Sequence, residues 1–93
     1  MVMRTKKGMI NVQMNEGTLS ELSPGEKCRV KELLTIGSIK RRLTDLGVIE
    51  GTEIECLQKS PWGDPTAYLI RGAVIAIRND DSAKILIEQE TKV

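Results

Sequence analysis

Histidine and phenylalanine are absent from this sequence, and tryptophan and tyrosine occur once each. Without histidine the chain lacks the usual general base near neutral pH and the commonest protein ligand for transition metals. The scarcity of aromatic side chains leaves nothing to stack on successive bases, which weighs against nucleic-acid binding. The core must therefore be built mainly from isoleucine, leucine, valine and alanine.

Long apolar runs and an excess of charge of one sign are also lacking. The longest apolar run extends from Ala73 to Ile77, far below the roughly 18–20 residues of a membrane span, and no signal-peptide core opens the chain. With 14 Lys and Arg against 13 Asp and Glu, the formal net charge is +1, so no global field attracts nucleic acid or an anionic bilayer. These features indicate a cytoplasmic protein without direct membrane insertion, whose partners are selected by a local surface.

The groups that carry catalysis or bind metals are few. Cys28 and Cys56 are too few for a disulfide scaffold and lack the CxxC spacing of zinc or redox sites, so we interpret both as small buried hydrophobes. Asp80 and Asp81 are adjacent carboxylates in a polar turn, where at most weak divalent-metal binding is expected. The sequence shows no nucleophile with a base, no phosphate-binding loop and no catalytic carboxylate pair. We therefore expect neither an enzyme nor a cofactor.

One helix is predicted, from Ser38 to Leu46, because apolar residues recur there at helical spacing. Ile39, Leu43 and Leu46 share the face that should plug into the core. Ser38 is expected to cap the start of the helix, and Gly47 to end it with a positive φ. Two turns of helix are unstable in isolation, so the rest of the chain must cover this face.

Five strands are predicted around this helix, because apolar and polar residues alternate between turn signals. They are placed at 27–33, 52–59, 66–71, 73–78 and 84–88. A chain of 93 residues supports one small core, and closing the sheet into a barrel removes exposed strand edges. Residues 1–17 are set apart as an N-terminal extension, either disordered or one extra edge strand, from a barrel domain at 18–93.

Five short motifs occur in order between Thr18 and Gln89. They are Leu19-x-x-Leu22-x-Pro24-Gly25, Arg42-Leu43-x-Asp45-Leu46-Gly47-Val48-x-x-Gly51, Pro61-x-Gly63-Asp64-Pro65, Gly72-x-x-Ile75-Ala76-Ile77-Arg78 and Ala83-x-Ile85-x-Ile87. Together they resemble the FeoA family of small cytosolic SH3-like barrels, except that Glu50 stands where the family usually has proline. Loss of that proline costs the turn some rigidity without forbidding it. The resemblance implies a mainly β, SH3-like five-stranded barrel with one short helix between its first two core strands.

The resemblance also implies a function. FeoA proteins work with FeoB, a membrane ferrous-iron transporter with a cytosolic GTPase domain. The implied role is a non-catalytic accessory or regulatory protein of ferrous iron uptake that docks on the cytosolic part of a FeoB-like transporter. The alternative is a metal-responsive regulatory barrel like the C-terminal domain of diphtheria-toxin-repressor-class regulators. Weak binding of a transition metal ion and weak homo-oligomerisation stay open in both cases.

The candidate docking residues come from the helix and from one loop. Trp62 lies between Pro61 and Gly63 in a loop stiffened by prolines, and is either a docking residue or a lid folded over the barrel mouth. Arg42 and Asp45 form either a charged rim for the partner or merely the solvated face of the helix. The predicted partner-binding set comprises Arg42, Leu43, Asp45, Trp62, Gly63, Asp64 and Pro65.

Overall fold

The protein is built around one antiparallel sheet. A computed structural model describes residues 12–92, with side chains described from 15 to 89. The sheet has six strands in the order β1-β6-β2-β3-β4-β5. The strands are β1 (Val12–Thr18), β2 (Lys27–Leu33), β3 (Glu53–Lys59), β4 (Thr66–Ile70), β5 (Ala73–Ile77) and β6 (Ile85–Lys92). Helix α1 (Gly37–Asp45) connects β2 to β3, the one-turn helix α2 (Asn79–Ser82) connects β5 to β6, and a 3-10 helix (Leu19–Glu21) follows β1.

The predicted architecture, mainly β with one short helix between the first two core strands, is confirmed. The structure adds β1, which pairs with β6 from Val12 opposite Lys92 to Thr18 opposite Leu86. Residues 12–17 of the predicted N-terminal extension thus belong to an edge strand, whereas residues 1–11 lie outside the described residues. In the described chain the strand order leaves β1 and β5 as the two edges of the sheet.

The core is aliphatic apart from Tyr68, as the composition predicts. Alternation along the strands places the expected residues inside, and the plug before β2 contributes two leucines that are almost fully buried. Cys28 and Cys56 are buried free thiols, as predicted. Burial raises the pKa of the Cys28 thiol to about 12 and also raises that of Cys56. The buried hydrophobic residues are Leu19, Leu22, Cys28, Val30, Leu43, Val48, Ile54, Cys56, Tyr68, Ile70, Ile77, Ile85 and Ile87.

The C-terminal end of α1 explains which of its apolar residues reach the core. Leu43 is 4% exposed, but Ile39 and Leu46 are each 37% exposed, so the prediction that all three plug into the core was wrong. Gly47 adopts φ +100°, and Val48 donates its backbone N–H to the Leu43 carbonyl oxygen at 2.9 Å. Gly47 also donates to the Thr44 carbonyl oxygen at 3.0 Å, which completes a Schellman motif. The chain therefore turns back at Gly47, and Val48 enters the core in place of Leu46.

The N-terminal end of α1 differs from the prediction as well. The N-cap is Ile36, and no side chain caps this end of the helix. Ser38 lies inside the first turn and not at the N-cap, because the helix begins at Gly37. The prediction of a Ser38 cap was therefore wrong, and a solvent-exposed isoleucine occupies the position that a capping side chain would take.

Two turns hold the sheet in register. Thr52 donates its N–H to the Ile49 carbonyl oxygen at 3.0 Å, so this turn forms with Glu50 in place of the usual proline. Between β4 and β5, Arg71 and Gly72 both have positive φ, at 51° and 81°, which is the pattern of a two-residue type I′ hairpin. Ile70 and Ala73 are paired directly across this hairpin.

Candidate partner-docking surface

The loop between β3 and β4 presents Trp62 to solvent. Its side chain is 92% exposed, more than any other large hydrophobic side chain among the described residues. The alternative in which the ring folds back as a lid over the barrel is therefore wrong. An exposed tryptophan leaves a large apolar area in water, which is unfavourable unless a partner covers it.

The Trp62 loop is held by contacts to the start of α2. Asn79 donates its backbone N–H to Asp64 Oδ1 and its side-chain Nδ2–H to the Gly63 carbonyl oxygen, both at 2.9 Å. Within the loop, Gly63 donates to the Ser60 carbonyl oxygen at 2.8 Å, and Ser60 donates to the Pro65 carbonyl oxygen at 3.1 Å. Gly63, Asp64 and Pro65 thus position the loop through hydrogen bonds, while the indole ring projects from it.

The helical members of the predicted set divide between core and surface. Leu43 lies in the core and is not accessible to a partner. Arg42 and Asp45 are exposed on α1. Arg42 also borders a narrow cleft between α1 and β5, the α1–β5 groove, with a volume of 30 Å³. It is lined by Ile39, Arg42, Leu43, Leu46, Ile75, Ala76, Ile77, Arg78 and Asp81.

The helix and the loop are connected through α2. Arg78 and Asp81 border the α1–β5 groove, and Asn79, between them in sequence, fastens the Trp62 loop. The groove has room for about one water molecule, so it suits an inserted side chain better than a small-molecule ligand. The start of α2 therefore links the two parts of the predicted set, Arg42 with Asp45 and Trp62 with its loop.

Residues that the sequence did not single out contribute to this surface. Asn79 was predicted only as part of a polar turn, and its two contacts with the loop join residues 15 and 16 positions apart. Ile36, 83% exposed, begins α1, and its exposure follows from its position at the N-cap. Neither property has a local sequence signal, because both depend on where the elements pack.

Charges on this surface are unpaired. Within the described part of the chain, the one ion pair joins Lys31 on β2 to Glu16 on β1, and the hydrogen bond with Glu16 raises the pKa of Lys31. Arg42 and Arg78 make no ion pair with a described residue, and neither do Asp45 and Asp81. They are therefore available to a charged partner without breaking an existing contact.

A larger depression lies on the outer face of β2, β3 and β4. Its volume is 450 Å³, and its charged lining residues are Lys27, Glu53, Glu55 and Arg71. Among residues 15–89 no three metal-ligating side chains come together, and Cys28 and Cys56 lie inside the core. No described helix is long and apolar enough to cross a membrane.

These features define a small antiparallel β domain of the accessory type, with one short helix and an exposed tryptophan loop. The FeoA domain model matches residues 17–89, so the chain belongs to the FeoA domain family. It is 31% identical over 70 residues to the Fe(2+) transport protein A/Fe(2+) transporter FeoB fusion protein of Porphyromonas gingivalis. The match covers 75% of this chain but spans only 8% of the length of that fusion protein.

Solved FeoA structures share the fold. A FeoA-like protein from Clostridium acetobutylicum is 31% identical with a TM-score of 0.72, over 80% of this chain and 86% of that one. A zinc complex of FeoA from Stenotrophomonas maltophilia, described as a prokaryotic SH3 domain protein, is 25% identical with a TM-score of 0.70, over 80% and 94% of the two chains. The predicted family and the SH3-like fold are thereby confirmed, and the family is one of small accessory domains rather than a known enzyme family.

The likeness to metal-dependent repressors is one of fold. IdeR from T. acidophilum has a TM-score of 0.71 at 21% identity, over 80% of this chain and 34% of that protein. At this identity the comparison shows a shared architecture and carries no statement on metal response or regulation.

Proposed function

We propose that this chain is a non-catalytic, cytoplasmic accessory protein of ferrous iron uptake that docks on the cytosolic, GTPase-containing part of a FeoB-like membrane transporter. The family membership supports a role in ferrous iron transport, and the fusion of a FeoA part to a FeoB part in the Porphyromonas gingivalis relative supports that partner. The observation in this molecule that carries the proposal is the 92% exposure of Trp62 on an anchored loop.

Trp62 has the properties of an interface anchor. Tryptophan is among the residues most enriched at binding hot spots, because one side chain buries a large apolar area and donates one hydrogen bond. The contacts of Asn79 with Asp64 and Gly63 hold the loop before any partner arrives. A preorganised loop loses less conformational entropy on binding, so more of the contact energy of the ring appears as affinity.

Arg42 and Asp45 supply a charged rim in this proposal. Both are exposed on α1 and carry opposite charges, so they favour one orientation of the partner over others. Rim charges act mainly on the association rate and on its salt dependence. We therefore assign recognition chiefly to Trp62 and orientation to this pair.

The test is binding to the purified cytosolic domain of a FeoB-like transporter encoded in the same genome. Trp62→Ala should weaken binding at least about tenfold, an energy of about 1.4 kcal/mol. Ile36→Ala is the matched control, because it also removes an exposed apolar side chain but at the N-cap of α1. Equal affinities for the wild type and Trp62→Ala would contradict the proposal, as would an absence of binding by the wild type.

The metal-responsive alternative is not adopted. Its support is a likeness of fold to a repressor at 21% identity. The docking proposal rests in addition on a specific exposed side chain of this chain and on the fused relative.

A further inference from the structure

Strand β5 has a free edge. It pairs with β4 on one side and ends the sheet on the other. Ile70 and Ala73 flank the two-residue turn, so they form a hydrogen-bonded pair, and hydrogen bonding to β4 then alternates along the strand. By this alternation the backbone N–H and C=O groups of Val74 and Ala76 point away from β4. No other segment within residues 12–92 hydrogen-bonds to them.

This edge lacks the devices that usually prevent strand pairing. Natural edge strands are protected by charged side chains, proline, bulges or a covering element. Strand β5 contains only alanine, valine and isoleucine, and its register with β4 has no bulge, unlike β2 with β6 and β3 with β4. The side chain of Val74 is 68% exposed, and Ala73 and Ala76 are exposed as well. The opposite edge, β1, carries Glu16, paired with Lys31.

We propose that the free edge of β5 pairs with β5 of a second copy of this chain, antiparallel about a two-fold axis at Ile75. This register places Val74 of each copy opposite Ala76 of the other, so that the outward-pointing backbone groups of both copies bond to each other. The two sheets become continuous. Ile39 and Leu46, which lie beside Ile75 in the α1–β5 groove, are partly covered by the added strand.

Charges at the two ends of β5 favour a second copy over another strand. Arg71 precedes the strand, whereas α2 follows it and carries Asp80 and Asp81. The antiparallel register brings Arg71 of one copy next to α2 of the other, and Arg78 falls opposite Gly72, which has no side chain. Each end then holds two arginines and two aspartates. A uniformly basic or acidic strand from another protein would meet like charge at one end.

The pairing is measurable without a transporter, so it stands or falls independently of the docking proposal. One edge strand makes a small interface, and self-association is therefore weak, with a dissociation constant on the order of 100 µM. Sedimentation equilibrium over about 10 µM to 1 mM protein should show a monomer–dimer equilibrium in that range. A monomer throughout that range would overturn the proposal.

The edge is tested by Val74→Lys, because a lysine on an edge strand opposes pairing. It should raise the dissociation constant at least about tenfold. The control Ile36→Lys makes the same change at an exposed residue away from β5 and should leave self-association unchanged. A dimer that survives Val74→Lys uses another surface and would overturn the proposal.

The charge complementarity is tested by reversal and rescue. Arg71→Asp places a residue that tolerates positive φ, and should weaken the dimer, as should Asp80→Lys with Asp81→Lys. The triple variant restores opposite charges at both ends and should return the dissociation constant to within about threefold of wild type. Arg41→Asp, on the exposed face of α1, controls for net charge, and circular dichroism confirms folding. Failure of the triple variant to recover while folded would overturn the proposed register.

Discussion

Asn79 donates its backbone N–H to Asp64 Oδ1 at 2.9 Å, across 15 residues of sequence. The side-chain amide of Asn79 adds a second bond of the same length to the Gly63 carbonyl oxygen. The Trp62 loop is thus fastened to the first turn of α2, which leads directly into β6. The position of Trp62 therefore depends on a tertiary contact as well as on the prolines that flank the loop.

This contact predicts the effect of cutting the loop free. Asp64→Ala removes the carboxylate acceptor and should destabilise the protein by about 1 kcal/mol. The amide of Gly63, bonded to the Ser60 carbonyl oxygen, should exchange with deuterium faster, because the loop opens more often. Asp64→Asn is the matched control, since its amide oxygen still accepts from Asn79. Unchanged exchange at Gly63 in Asp64→Ala would show that the prolines alone hold the loop.

Helix α1 gives a stability prediction. Leu43→Ala leaves a cavity in the core and should destabilise the protein by about 2 to 5 kcal/mol. Ile39→Ala, at a residue that is 37% exposed, should cost clearly less, and Lys40→Ala should be nearly neutral. Urea titration measures all three. A common midpoint for Leu43→Ala and Lys40→Ala would mean that the buried face of α1 is misassigned.

The strands were predictable from sequence because their signal is local. Alternation alone places Val30 and Ile54 inside, and both are buried. The end of α1 was not predictable in detail, because the Schellman turn at Gly47 exchanges Leu46 for Val48 in the core. The exposure of Trp62 could not be decided either, since a lid and a docking residue have the same local sequence. That choice rests on how the loop packs against the rest of the fold.

The buried thiols predict an alkaline loss of stability. The pKa of Cys28 is about 12 in the folded protein against 9.0 when unperturbed, and those of Cys56 and Tyr68 are also raised by burial. Each of these groups holds its proton more tightly when folded. Their full contribution is present below the unfolded pKa, and stability falls as pH rises above about 9.

For Cys28 the loss continues to about pH 12 in the folded protein, at up to roughly 1.4 kcal/mol per pH unit. Urea midpoints between pH 8 and pH 10.5 measure it, and Cys28→Ala should show a shallower decline than wild type. A wild-type midpoint independent of pH over this interval would contradict the burial of the thiol. Thiol reagents should correspondingly react slowly with the folded chain.

Metal affinity is expected to be low. With no histidine in the chain and both thiols in the core, Fe²⁺ or Zn²⁺ should bind the isolated protein more weakly than about 10 µM. Isothermal titration calorimetry under anaerobic conditions measures this. A stoichiometric sub-micromolar isotherm that disappears in Cys28→Ser and Cys56→Ser would show instead that the thiols open to bind metal.

Trp62 allows the docking surface to be observed directly, because it is the only tryptophan in the chain. At 92% exposure its fluorescence in the free protein should be red-shifted and readily quenched by iodide or acrylamide. On binding the transporter's cytosolic domain, the emission should shift to the blue and the quenching should fall, since a partner that covers the ring excludes water and quencher. A partner without tryptophan, or one with its tryptophans replaced, keeps the signal specific.

Stability separates docking from folding at this residue. Trp62→Ala should change the free energy of unfolding by less than about 1 kcal/mol, because an exposed ring makes few intramolecular contacts. The same substitution should reduce transporter binding by more than about that amount. If Trp62→Ala unfolded the domain, or if its emission were blue-shifted before any partner was added, the ring would belong to the core. The docking surface would then have to be sought on α1, around Arg42 and Asp45.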